Sequence, residues 1–156
     1  NVLYNYGELT NSRKIAAEIV RSREIHPITT TNELIACVSH LVPEKKKNQF
    51  LARLFQAIRI EVNDEIGALE EMLNSAVDLL DKNGRLVVLS YHSLEDRMVK
   101  NLFKKGNIEG VLEKDFFGNP HKVLKEINRK VIIASDNEIA NNSRARSAKL
   151  RIAEKI

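Results

Sequence analysis

The sequence is poor in the residues from which several common sites are built. Cysteine occurs once, at Cys37. That excludes an internal disulfide framework and a multi-cysteine zinc site, and it suits a reducing compartment. The four histidines, His26, His40, His92 and His121, show no His-x-x-x-His or His–Cys spacing, so no metal site is expected. Neither G-x-G-x-x-G nor the phosphate-binding G-x-x-x-x-G-K-[ST] occurs, and no serine sits in a G-x-S-x-G elbow. No apolar run approaches the ~20 residues of a membrane helix, which leaves no expected membrane partner and a cytoplasmic location. Internal repeats and low-complexity segments are missing as well.

What remains is an ordinary globular composition. Of 156 residues, 43% are hydrophobic and 29% charged, enough for one domain with a real core or two small ones. The net charge of +4 is compatible with an anionic partner without demanding one.

Apolar spacing predicts the elements. Ile15, Ala16, Ile19 and Val20 repeat at helical intervals over 9–24, opposite Arg13, Lys14, Glu18 and Arg21. Thr30 and Glu33 form a capping box that starts a helix over 31–41, with Leu34, Ile35 and Val38 inward. Pro43 and a solvated loop over 44–47 end it. A long helical stretch, 48–80, carries the stripes Phe50-Leu51-Leu54-Phe55-Ile58 and Ile66-Leu69-Met72-Leu73-Val77-Leu80, with a break or kink at Asn63-Asp64. Asn83-Gly84 stops it.

The continuous run Leu86-Val87-Val88-Leu89 reads as a strand covered on both faces, as in a parallel sheet. Leu94, Met98, Val99, Leu102 and Phe103 give a helix ending at Gly106. The 107–120 stretch reads as a loop with a helical turn, 121–127 and 131–133 as strands, and Ser135 to Glu138 as a second capping box. Over 147–156, Ala148, Leu150 and Ile152 alternate with Lys149 and Arg151, which predicts a half-buried strand with the lysine and arginine outward.

Three constellations could carry chemistry. Ser90-Tyr91-His92-Ser93-Leu94-Glu95-Asp96-Arg97 follows the apolar strand directly, at the strand end where α/β sheets bind ligands. Capping by Ser93 and a favourable helix dipole at Glu95 and Asp96 account for those three, and leave Tyr91 and His92 unexplained. Gln56, Arg59 and Asn63 share a helical face. That face is either solvated, with an Arg59–Asn63 contact, or a polar strip for phosphate and base edges, and the pattern alone favours the first. Arg144 and Arg146 precede the last strand as a short Arg-x-Arg, a form that phosphate binding uses; no aromatics interleave there, so it is not a stacking platform.

Three long segments resemble one family. They are GRLVVLSYHSLEDRMVKNLF, RLFQAIRIEVNDEIGALEEML and SRARSAKLRIAEKI, and the shorter YGELTNSRKIAAEIV and PITTTNELIACV fit the same pattern. Together they look like the bacterial 16S ribosomal RNA cytosine-N4 methyltransferases, over essentially the whole chain. Two departures stand out: Ser143 takes the place of a proline before Arg144, which would loosen that loop, and Tyr91 replaces a phenylalanine while keeping the ring. The resemblance implies an α/β fold, with a helical insert domain over 1–60. The remainder, 61–156, would be the C-terminal part of a Rossmann-like methyltransferase sheet, incomplete in this chain. The family's S-adenosylmethionine cradle would lie mainly before Asn1.

By that resemblance, Tyr91, His92 and Asn63 would be catalytic, while Gln56, Arg59, Ser93, Arg97, Arg144 and Arg146 would bind substrate. The partner would be 16S rRNA in the small ribosomal subunit. The chain alone would be inactive, a non-catalytic rRNA-binding module being the alternative, and an exposed apolar strand edge would allow a homodimer.

Overall fold

The computed structural model describes residues 1–118 and 122–156, and the chain divides into two compact units, Asn1–Glu65 and Ile66–Ile156. The first unit is helical: α1 (Val2–Asn5), α2 (Ser12–Ile25), α3 (Thr31–Val38) and α4 (Lys47–Val62). Its core gathers Leu9, Ile15, Val38, Phe50 and Leu54. Gly7 permits a close backbone approach, since a Cβ there would meet Leu3 O at 2.8 Å and Arg53 O at 2.9 Å.

The capping box at α3 is present. Thr30 Oγ1 accepts from Glu33 N at 3.2 Å, and Glu33 Oε2 accepts from Thr30 N at 2.9 Å and from Thr29 N at 2.6 Å. Those backbone donors, Thr29 first, hold the Glu33 carboxyl below its ordinary range. The helix stops at Val38, short of the predicted end, and tightens into a 3-10 turn, Ser39–Leu41. The 44–47 run, expected as a loop, is another 3-10 turn (Glu44–Lys46) that leads directly into α4. The long helical stretch breaks where expected: Asp64 takes a left-handed φ of 49° and α5 (Glu65–Leu79) begins after it.

The second unit contains the rest of α5, then β1 (Arg85–Ser90), α6 (Ser93–Lys105), β2 (Leu124–Glu126), β3 (Ile132–Ile133), α7 (Asp136–Asn141), a 3-10 turn (Ser143–Ser147) and β4 (Lys149–Lys155). The architecture is therefore α/β, with a small antiparallel sheet ordered β1–β4–β2 and β3 also paired to β4. Of the strand predicted over 121–127, only Leu124–Glu126 forms, and His121 lies outside the described residues. The capping serine before α7 is in place, with Ser135 Oγ accepting from Glu138 N at 3.3 Å.

Two expectations about the sheet are corrected. Leu86 to Leu89 does not lie in a parallel ladder: β1 runs antiparallel to β4, with Leu86 opposite Ala153 and Val88 opposite Arg151. Nor is the strand covered on both faces within this unit. Leu86 and Val88 pack on Leu73 and Val77 of α5 and on Met98, Val99, Leu102 and Phe103 of α6, whereas Val87 and Leu89 are 56% and 51% exposed.

The polarity of β4 is also the reverse of the alternation reading. Its covered face carries Arg151 and Ala153, both buried, while Leu150 and Ile152 share the open side with Leu89 and Val87. An arginine can face inward here because an acid on α6 meets it.

Candidate functional site

The site begins where β1 runs out. Ser90 is buried and its Oγ donates to Lys149 O at 3.4 Å, which ties the last residue of β1 to the first of β4. Two residues later α6 starts, and its cap is His92 rather than Ser93: the ring Nδ1 accepts from Glu95 N at 3.5 Å, and Ser93 is the first helical residue. Glu95 then turns back, its Oε2 accepting from Tyr91 N at 2.9 Å. The two contacts fall short of a reciprocal capping box, because Glu95 reaches past the cap residue to the amide of Tyr91, but together they hold the Tyr91-His92 turn against the start of the helix.

The tautomer follows from that cap. An accepting Nδ1 carries no proton, so the neutral ring carries it on Nε2. His92 Nε2 lies 2.9 Å from Glu95 Oε1, yet the pair fails the angular requirement of a hydrogen bond, so proximity here is not bonding. It is the one buried side-chain nitrogen or oxygen among the described residues that lacks a hydrogen-bond partner. Such an atom is uncommon in a folded protein.

Asp96 does more than face the helix dipole. Its carboxylate is buried against β4, receiving Arg151 Nε at 2.7 Å and Nη2 at 3.2 Å as a two-pronged fork, with Lys149 Nζ at 3.4 Å. Burial pushes the Asp96 carboxyl up, but the Arg151 hydrogen bonds and charge, joined by Lys149, outweigh it and hold the group below its usual value. This bridge pins α6 to β4 and so sets where the Tyr91-His92 turn stands.

Beside that turn is a cleft of about 220 Å³. Leu89, Tyr91 and Leu150 line it from the sheet, and Glu138, Asn142 and Arg144 line it from α7 and the 3-10 turn. Asn142 Oδ1 caps that 3-10 turn by accepting from Arg144 N at 3.2 Å, so the expected loosening at Ser143 takes the form of a regular turn. Ala145 is buried and anchors the turn, while Arg144 and Arg146 project outward. The structure thus brings Tyr91 and Arg144 to one cleft; Arg97 and Arg146 are exposed and lie outside its lining. Glu138 and Asn142 were not foreseen as lining residues. Their capping pattern is visible in the sequence, but their approach to Tyr91 depends on β3 and β4 pairing.

The remaining candidates belong to the helical unit. Gln56 Nε2 donates to Tyr6 O at 3.0 Å and so joins the end of α1 to α4. Arg59 forks onto Glu65, Nε to Oε1 at 2.6 Å and Nη2 to Oε2 at 2.9 Å, and Asn63 Nδ2 reaches the same Oε1 at 3.3 Å. Arg59 and Asn63 are therefore held together through one carboxylate across the α4–α5 break.

Among the described residues, no group of three or more His, Cys, Asp or Glu could hold a metal, and no helix is long and apolar enough to cross a membrane. A sulfonium nucleoside cofactor needs a close-approach turn and free donors for its carboxylate and ribose. The β1–α6 turn contains no glycine, and side chains of its own already engage its cap amides, Glu95 N and Tyr91 N. This turn does not fit as that cradle.

These features define a class: a chain with a compact helical unit and an α/β unit whose strand end carries an aromatic, asparagine and arginine site. The whole chain, residues 1–156, matches the MraW methylase family, and it belongs to that family. It is 53% identical to a ribosomal RNA small subunit methyltransferase H of Phocaeicola vulgatus, over 99% of this chain and 51% of that protein. Proteins of the same name from Bacteroides thetaiotaomicron and Flavobacterium johnsoniae are 52% and 50% identical, again over 99% of the chain and 51% of their own lengths. The chain therefore spans about half the length of the curated relatives it matches.

Proposed function

We propose that this chain is the substrate-facing part of an S-adenosylmethionine-dependent enzyme that methylates the N4 amine of a cytidine in small-subunit rRNA. The observation that carries this reading is the cleft beside β1, with an apolar floor, an exposed tyrosine ring, an asparagine and an arginine. Its size, below the ~300–1,000 Å³ of ordinary ligand pockets, suits one flat ring. An extruded base needs such a site: a ring to stack on, an amide for its edge and a cation for the neighbouring phosphate.

In this reading Tyr91 stacks on the base and Arg144 holds its phosphate, with Arg146 and Arg97 on the strand either side. His92 supplies a ring N–H that the fold leaves without a hydrogen bond, and Ser93 stands beside it. Arg59 and Asn63, coupled through Glu65, present a second polar strip from the helical unit, with Gln56 fixing α4. The donor methyl and its cofactor would be held mainly by residues outside this chain. What these residues do is orient the amine, which is how a bound geometry lowers a transfer barrier.

The test is methyl transfer to undermethylated 30S subunits. The pure chain should incorporate no label. Supplied with the part of the Phocaeicola vulgatus relative that this chain does not cover, it should yield N4-methylated cytidine on nucleoside analysis. Transfer by the pure chain, or label on another atom, would overturn the reading.

A further inference from the structure

A second cleft, of about 420 Å³, shares no lining residue with the first and is lined by Lys100 and Lys104 of α6, by Glu126 at the end of β2, by Arg129 and Val131 after it, and by Arg151. Lys100, Lys104 and Arg129 are exposed, and none of them forms an ion pair among the described residues. Arg151 is already neutralised by Asp96, which leaves Glu126 as the one acid facing three cations.

These charges are more than a solvated helix face. On such a face a lysine usually has an acid three or four residues away, and like charges at that spacing destabilise the helix. Lys100 has Arg97 three residues before it and Lys104 four after it, and Asp96 is turned inward to Arg151. α6 thus carries a cationic strip from Arg97 to Lys104, about 10 Å long at 1.5 Å per residue, with only its Lys104 end eased by the helix C-terminus. Arg129 lines the same cleft, on a turn that is held firmly. Asn128 Oδ1 accepts from Ile152 N at 2.8 Å, and its Nδ2 donates to Lys130 O at 2.8 Å. A cation placed by such a turn spends little ordering entropy on binding.

We infer that this cleft is a phosphate-backbone track for RNA, in which Lys100, Lys104 and Arg129 grip a stretch of strand remote from the base being modified. Partner chemistry follows from charge: three converging cations on a groove wall, with no aromatic side chain in the lining, fit phosphodiesters and not bases. The inference rests on the RNA reading above and adds a second, sequence-independent contact to it.

The test is equilibrium binding of the full 156-residue chain to small-subunit rRNA and to an unrelated RNA of equal length, across a KCl series. For K100A/K104A/R129A the slope of log K against log salt should fall by about 2 to 3 on both RNAs, at roughly 0.7–1 per phosphate contact. The control K45A/K46A, in the exposed 3-10 turn, should leave it unchanged. If the wild-type chain binds but the triple variant keeps its slope, the track is wrong and the methyltransferase reading stands. If the control lowers the slope equally, only net charge matters, which also overturns it. Titration with inorganic phosphate at constant ionic strength separates the remaining case: a variant that loses phosphate binding but keeps the RNA slope marks a small-anion site. A wild-type chain that binds no RNA at any salt would sink both readings together.

Discussion

Removing the acid from the Asp96–Arg151 bridge should be among the most damaging single changes in the second unit. Arg151 is 9% exposed, and its guanidinium is met by Asp96 at 2.7 and 3.2 Å. Truncating one partner of a buried pair leaves the other charge desolvated and typically costs about 3–5 kcal/mol. Against the roughly 5–15 kcal/mol that holds most domains together, that is about a fifth of the total or more. For a unit of this size each kcal/mol moves the midpoint by about 4–8 °C, so Asp96→Ala should melt at least ~12 °C lower.

The acid dependence supplies an independent sign. Burial raises the Asp96 carboxyl and the Arg151 and Lys149 contacts lower it further, so the folded group sits below its unfolded value. Its contribution is then complete above the unfolded carboxylate value of about 3.9, and is lost as pH falls through the folded one. Thermal or urea melts at pH 7, 4 and 3 should show wild-type stability falling in that window and the curve of Asp96→Asn falling less steeply. The double variant Asp96→Leu with Arg151→Met should recover most of the loss, since it removes both charges and keeps volume. An Asp96→Ala midpoint within 2–3 °C of wild type at pH 7 would refute the reasoning.

Two further outcomes follow from the same unit. His92→Asn keeps a good helix cap where His92→Ala loses about 0.5–2 kcal/mol, so the asparagine variant should restore the melting midpoint but not methyl transfer in the reconstituted assay; recovery of both would reduce His92 to a cap. Val87 and Leu89 are 56% and 51% exposed on β1. Light scattering should therefore detect self-association of the isolated chain that Val87→Lys with Leu89→Lys abolishes, and a clean wild-type monomer at high concentration would count against it.

The helical unit was legible from sequence because its signals are local. The Thr30–Glu33 box, the Asn63-Asp64 break and the stripe through Phe50 and Leu54 each depend on residues a few positions apart, and each is where the periodicity put it. The candidate site was legible only as a place. Its strand end and its Arg-x-Arg could be read, but the cap on His92 could not, because a serine one residue later is the better capping type by composition. Nor could the Asp96–Arg151 bridge, whose partners are 55 residues apart. Lys100 and Lys104 carry no signal of their own in the sequence, because Arg129 joins them in one cleft only through the β2–β3 connection.

The misread polarity of β4 says most about how this sheet works. Alternation by itself assigns Leu150 and Ile152 to the inside, and that assignment fails because Asp96 turns Arg151 into a satisfied inward group. Once Arg151 and Ala153 face α6, the four apolar residues Val87, Leu89, Leu150 and Ile152 share the other side, in register across β1 and β4. A half-solvated strand would carry polar residues there. A strand Leu86 to Leu89 with two covered faces, as its apolar run implies, thus differs from the observed unit by one layer of cover. Under the proposed function that layer belongs to the cofactor-holding part of the enzyme. Its docking would then close the apolar side of the sheet and complete the wall behind Tyr91 in a single step, and assembly and catalytic competence should appear together in the reconstitution rather than in sequence.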